Sequence, residues 1–128
     1  MNKKAIWASA HTITEEQKSS LEAEGFDVLF LQDINSKLLS KLSNLELESD
    51  RETLVQSLVR EAMKVGSSEF PATIIQPAGD PAIQFQLGRI ETNAPVWYAF
   101  TERVSEDIPQ EDGSIRKVSV FKHAGWVQ

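Results

Sequence analysis

Ala72-Thr73-Ile74-Ile75-Gln76-Pro77-Ala78-Gly79-Asp80-Pro81 passes from a short apolar run through a polar turn into the start of a helix. Ala72 to Ile75 predicts a buried strand. Asp80 offers a capping carboxylate, and Pro81, which has no N–H to waste, suits the first helical position. Ile83, Leu87 and Ile90 then recur on one helical face, with Phe85 off that stripe. A strand that feeds a helix this directly is half of a βαβ unit, so the flanking sequence must supply the other halves.

Upstream it does. Ala5-Ile6-Trp7-Ala8 predicts a buried first strand, and Thr14-Glu15-Glu16-Gln17 fits a capping box that opens a helix ending near Gly25. The apolar face of that helix is thin (Ile13, Leu21 and Ala23), which predicts partial exposure. Phe26 to Leu31 is apolar except for Asp27, the pattern of a strand covered on both faces. Leu38, Leu39, Leu42 and Leu45 follow at helical spacing. Ser49-Asp50-Arg51-Glu52 then fits a second capping box, with Ser49 as the cap. Leu54, Val55, Leu58, Val59, Ala62 and Met63 form a broad stripe, closed by Gly66.

Downstream, Pro95 to Phe100 is a fourth strand. A last strand around Lys117 to His123 returns antiparallel through a turn near Glu111-Asp112-Gly113, with Val118 and Val120 alternating against Ser119, Phe121 and His123. Strands alternating with helices imply α/β architecture. The expectation is a single Rossmann-like domain over residues 1–128, a mostly parallel sheet ending in a C-terminal antiparallel hairpin.

Composition narrows the function. With 128 residues, 41% hydrophobic and 25% charged, the chain suits one ordinary core. The absence of cysteine excludes disulfides, thiolate metal sites and thiol nucleophiles, and suits a cytoplasmic location. The apolar run after Met1-Asn2-Lys3-Lys4 is too short for a signal peptide or a membrane span. A net charge of -6 argues against long nucleic acids, which need an extended basic face. A small anion is still accessible, because charges are screened over about 8 Å at physiological salt and local groups then dominate.

In open α/β sheets, ligands bind outside the carboxyl ends of the strands. Three segments are expected there: Ser9-Ala10-His11-Thr12, Gln76 to Asp80, and Thr101-Glu102-Arg103. Their imidazole, hydroxyls, carboxamide, guanidinium and helix-start amides suit a phosphate or nucleotide. No phosphate-loop or Gly-x-Gly-x-x-Gly motif is present, so no dinucleotide cofactor is expected. Each residue also has a plainer role. His11 could bond its own turn, Asp80 could simply cap a helix, and Arg103 could pair with Glu102, Glu106 or Asp107. His123 could be an ordinary sheet residue, and Trp7, Trp97 and Trp126 suit core or interface positions. A hairpin closed near Glu111-Asp112 sets Thr101 opposite Val120 and His123 opposite Tyr98. His123 would then lie roughly 10 Å from Thr101, in a subunit contact or a shared pocket, with Arg116 and Lys117 nearer the edge. No ligand spacing supports a metal site.

Several segments together resemble the small stand-alone CRISPR-associated Rossmann-fold proteins, the ancillary ring nucleases of type III systems. These are His11-Thr12-Ile13-Thr14-Glu15-Glu16-Gln17, the Gln76 to Asp80 turn (with Pro77-Ala78 inserted relative to a Gln-Gly-Asp turn), Thr101-Glu102-Arg103, and Asp112-Gly113-Ser114 with Val120-Phe121-Lys122-His123. The resemblance implies a homodimer that binds a cyclic oligoadenylate, commonly the cyclic tetra-adenylate, across its two-fold axis. It also implies metal-independent cleavage by a ribose 2′-hydroxyl, giving a 2′,3′-cyclic phosphate and silencing a defence signal. On that basis His11 is assigned proton transfer, since imidazoles as a class change charge near neutrality, or orientation of the scissile phosphate, and Arg103 is assigned phosphate charge. Ser9, Thr12, Gln76, Gly79, Asp80 and Thr101 would hold the ligand, with Lys122 and His123 as further candidates. A non-catalytic binder of the same messenger is the first alternative. The second is a protein-interaction module that uses Phe85 and Trp126. The expected dimer draws on the thin first helix, Phe85, Trp126 and the resemblance.

Overall fold

The computed structural model describes residues 3–67, 69–77, 80–89 and 94–127; the side chains of residues 88, 89, 100–104 and 119–122 also fall outside the description. Among the described residues, ten elements run in chain order: β1 (Lys3–Trp7), α1 (Glu15–Ala23), β2 (Phe26–Phe30), α2 (Leu31–Ile34), α3 (Ser36–Ser43), α4 (Arg51–Val65), β3 (Thr73–Gln76), α5 (Pro81–Arg89), β4 (Val96–Pro109) and β5 (Ile115–Val127). The strands form one sheet in the order β2-β1-β3-β4-β5. β1 pairs parallel with β2 and β3, β3 pairs parallel with β4, and β5 closes antiparallel on β4. This is the expected α/β, Rossmann-like architecture.

Local chemistry explains most boundaries. Gln17 N donates to Thr14 Oγ1 at 3.1 Å while Thr14 N donates to Gln17 Oε1 at 3.0 Å, completing the capping box of α1. At α4 the cap is Asp50, not Ser49. The Asp50 carboxylate accepts from Thr53 N and Thr53 Oγ1, whereas the Ser49 hydroxyl is already engaged by Glu46 N in the preceding turn. Gly66 ends α4 as expected, and a Cβ there would collide with Phe70 O.

The sheet has two unlike faces. On one, Ile6, Ile74 and Ala8 pack against Leu31, Leu38, Leu39, Val55, Leu58, Val59, Ala62, Ile83 and Leu87 from α2 to α5. On the other, α1 contributes Leu21 to a smaller cluster with Ala5, Trp7, Phe26 and Ile75, completed by Trp97 and Trp126. Leu21 is fully buried, so α1 is better anchored than its thin apolar face suggests. β2 is less buried than a strand covered on both faces would be: Val28, Leu29 and Phe30 stay half-buried. Among the described strands it is also an edge, with β1 alone beside it.

The hairpin is longer than expected. β3 pairs with β4 only from Ile74↔Val96 to Gln76↔Tyr98, yet the β4–β5 ladder continues from Thr101↔His123 to Pro109↔Ile115. A two-stranded arm therefore extends roughly 37 Å past the end of β3, at about 3.4 Å per residue. Its turn, Gln110 to Ser114, is closed by Gln110 N donating to Ser114 O, with Gly113 at φ 86°. The turn falls where it was expected, around Glu111-Asp112-Gly113, but the strands pair about it three residues out of the expected register. His123 lies opposite Thr101 rather than Tyr98, and Arg116 and Lys117 lie opposite Ile108 and Asp107 near the tip.

Candidate functional site

β1 and β3 end side by side, and the segments that leave them make the site. Ala8 N donates to Ile75 O at 3.0 Å, continuing the ladder one residue past β1. The chain then turns away at Ser9. Two side chains hold the turn: Gln76 Nε2 donates to Ala8 O at 3.3 Å, and Trp7 Nε1 donates to His11 O at 2.9 Å. The Ser9 hydroxyl accepts from His11 N at 3.1 Å. Gln76 is buried, so its amide serves as scaffold, whereas His11 and Thr12 are exposed and Ser9 is half-exposed.

Beneath this loop lies a cavity of about 370 Å³, with Ser9, His11, Gln76 and Asp80 on its polar side and Leu39, Leu42, Leu45 and Ile83 on its apolar side. A second cavity of about 390 Å³ lies across the same loop, with Thr12, Phe30 and Asp33 among its lining residues. The loop is thus a partition whose side chains reach two hollows. Volumes of this size sit near the lower end of the roughly 300–1,000 Å³ typical of small-molecule pockets.

Asp80 caps α5 as expected: its Oδ1 accepts from Ala82 N at 2.8 Å and Ile83 N at 3.1 Å. It also faces Arg51, whose Nε and Nη2 reach Oδ1 and Oδ2 at 3.3 and 3.4 Å. The Arg51 hydrogen bond, then the two amides, hold the Asp80 carboxyl below the usual carboxylate range against the opposing effect of desolvation. The helix-start amides are therefore engaged by the protein's own carboxylate. Arg51 was missed by sequence reasoning. Its only signal was membership of the Ser49 to Glu52 cap, because its partner lies 29 residues away.

The remaining candidates divide. Thr101 continues β4 rather than following it, and Arg103 stands five residues past Tyr98 within the arm, roughly 17 Å along the strand. Arg103 is thus carried away from the His11, Gln76 and Asp80 group, a correction to the convergence expected of it. The side chains of Thr101, Arg103 and Lys122 fall outside the description, as does Gly79. His123 packs against Trp126 with ring centroids 4.9 Å apart, and both of its ring nitrogens are buried without a hydrogen-bond partner among the described residues. Trp126 is not a free docking aromatic. Its Nε1 donates to Ser20 Oγ at 3.1 Å, and its ring meets Trp7 edge-on at 6.2 Å. Among the described residues no group of three or more His, Asp or Glu side chains is placed to hold a metal ion, and no helix is long and apolar enough to cross a membrane.

Fold and site together define a Rossmann-like α/β protein with a small, partly polar cavity at the carboxyl ends of its central parallel strands. The family model described as "Uncharacterized protein MJ1673 family" matches residues 3–127, and the chain belongs to that family. Neither the curated proteins nor the solved structures give a match.

Proposed function

We propose that this edge recognises a small anionic nucleotide, a cyclic oligoadenylate, and cleaves it by attack of a ribose 2′-hydroxyl on the neighbouring phosphodiester. The observation that carries the reading is the preorganised loop. Trp7 and Gln76 fix the backbone of residues 8–11 from two sides, while the His11 side chain is exposed at the cavity. A fixed loop with an unencumbered imidazole is what proton transfer on a bound ligand needs. In that step the 2′-oxygen bonds to phosphorus and its proton passes to His11. The bond from phosphorus to the 5′-oxygen breaks, and the departing oxygen takes a proton, leaving a 2′,3′-cyclic phosphate and a 5′-hydroxyl. A cavity of about 370 Å³ suits one nucleotide rather than four, so a tetra-adenylate ring calls for a second copy of the chain.

Non-catalytic binding of the same ligand is favoured by one observation: Asp80 occupies the α5 amides that would otherwise stabilise developing charge. The two readings separate on His11→Ala. Single-turnover cleavage of cyclic tetra-adenylate should fall by at least ~10²-fold while affinity changes much less, and cleavage by the parent should persist in EDTA. Tight binding with no cleavage by the parent selects the binder, and no binding of any cyclic oligoadenylate overturns both.

A further inference from the structure

Arg51 is placed in an unusual way. It begins α4, yet its guanidinium reaches across to the cap of α5, and Asp80, the residue it meets, also lines the cavity. Its hydrogen bonds to Asp80 Oδ1, Asp80 Oδ2, Leu47 O and Ser49 O are all 3.3–3.4 Å long. Charge-assisted bonds of a well-seated guanidinium run nearer 2.7–2.9 Å. The Arg51 side chain keeps 21% of its surface exposed, so it is open to competition. Asp80 does not depend on Arg51 for its other duty, because it bonds the α5 amides directly.

We propose that Arg51, which meets this cavity through Asp80, forms an anion subsite beside it, which the Asp80 carboxylate occupies in this structure and a ligand phosphate takes over in part. Asp80 acts as a built-in phosphate mimic. It neutralises Arg51, and it repels any anion that cannot engage the guanidinium itself. The pair thereby selects for anions that present two oxygens to the planar guanidinium, such as a phosphoryl group, over a lone negative charge. The inference rests on the cavity being a nucleotide site, but not on ring cleavage or on ring size.

The test compares binding of adenosine 5′-monophosphate with that of neutral adenosine, so that the ratio isolates the phosphate. Arg51→Ala should lower that ratio at least ~10-fold. Asp80→Asn keeps an effective helix cap and should raise the ratio several-fold. Arg51→Lys, which retains the charge but not the fork, should fall between Arg51→Ala and the parent. Thermal unfolding of each variant shows whether it is folded, and the Arg51 Nε–H resonance of the parent should shift on adding the monophosphate but not adenosine. Opposite signs for Arg51→Ala and Asp80→Asn are not expected of a tie between two helices. The inference is overturned if both variants move the ratio the same way, if Arg51→Lys equals the parent, or if the parent does not discriminate monophosphate from adenosine. Should the monophosphate pattern appear while cyclic oligoadenylates fail to bind, the subsite stands and the cyclic-ligand reading falls.

Discussion

The two faces of the sheet solve the same burial problem with different materials. Among the described residues, the α2–α5 face spreads its contacts over many aliphatic side chains from four helices, whereas the α1 face has one helix and fills the space with Trp7, Phe26, Trp97 and Trp126. Aromatic rings bury large areas but bring polar edges that need partners. Trp7 places its indole N–H on His11 O and Trp126 places its own on Ser20 Oγ. Each bond reaches outside the core, the first into the loop of the candidate site and the second into α1. The aliphatic face thus supplies bulk, and the aromatic face connects that bulk to the loop that carries His11.

The sharpest way to break this contrast is to truncate one side chain on each face. Trp7→Ala should cost about 3–5 kcal/mol and Leu58→Ala about 2–5 kcal/mol, measured by chemical denaturation. Only the tryptophan variant should also shift the backbone amide resonances of Ser9 to Thr12 at temperatures where both are folded. Equal disturbance of that loop by both variants would erase the distinction. A smaller effect isolates the polar edge. Trp7→Phe retains most of the burial and removes the bond to His11 O, so it should cost roughly 0.5–1.5 kcal/mol for the lost hydrogen bond, with faster hydrogen exchange in residues 9–12 as the discriminating signal.

The smallest effect is pH-dependent and belongs to the rim. The Asp80 carboxyl is held below its ordinary value by Arg51 and by the Ile83 and Ala82 amides. A depressed folded-state pKa contributes stability that is complete above the unfolded value of about 3.9 and is lost as pH falls through the lower folded value. Asp80→Asn should therefore lower stability slightly near neutrality and flatten the acid limb, so that the two profiles converge as pH falls below about 4. An identical acid limb in parent and variant would show that Asp80 gains nothing from its partners.

The features legible in the sequence were local. The Thr14–Gln17 box, the Asp80-Pro81 helix start and the α4 stripe are each written within about four to a dozen residues, and all appear in the structure. The features that were not legible depended on neighbours distant in the chain. The apolar run of β2 reads the same whether one strand or two lie beside it, and only the β2-β1-β3 order makes it an edge. Thr101 to Asp107 is polar and charged apart from Val104, without the alternation that announces a strand, so the length of the arm was not legible and the register of His123 went with it. Arg51 needed a partner from another helix to show its purpose.

The parallel pairing of β1 also sets a schedule for synthesis. At roughly 5–20 residues per second, β2 emerges soon after β1, but β3, which supplies Thr73 to Ile75 opposite Ala5 to Trp7, is some 70 residues behind. For about 3–14 s the nascent chain carries a strand whose Ala5 to Trp7 are buried in the finished fold, with one side unzipped. Whatever shields Ala5-Ile6-Trp7-Ala8 in that interval, whether the ribosome surface, a chaperone or a passing contact with the leucines of α3, governs how much of the chain escapes aggregation.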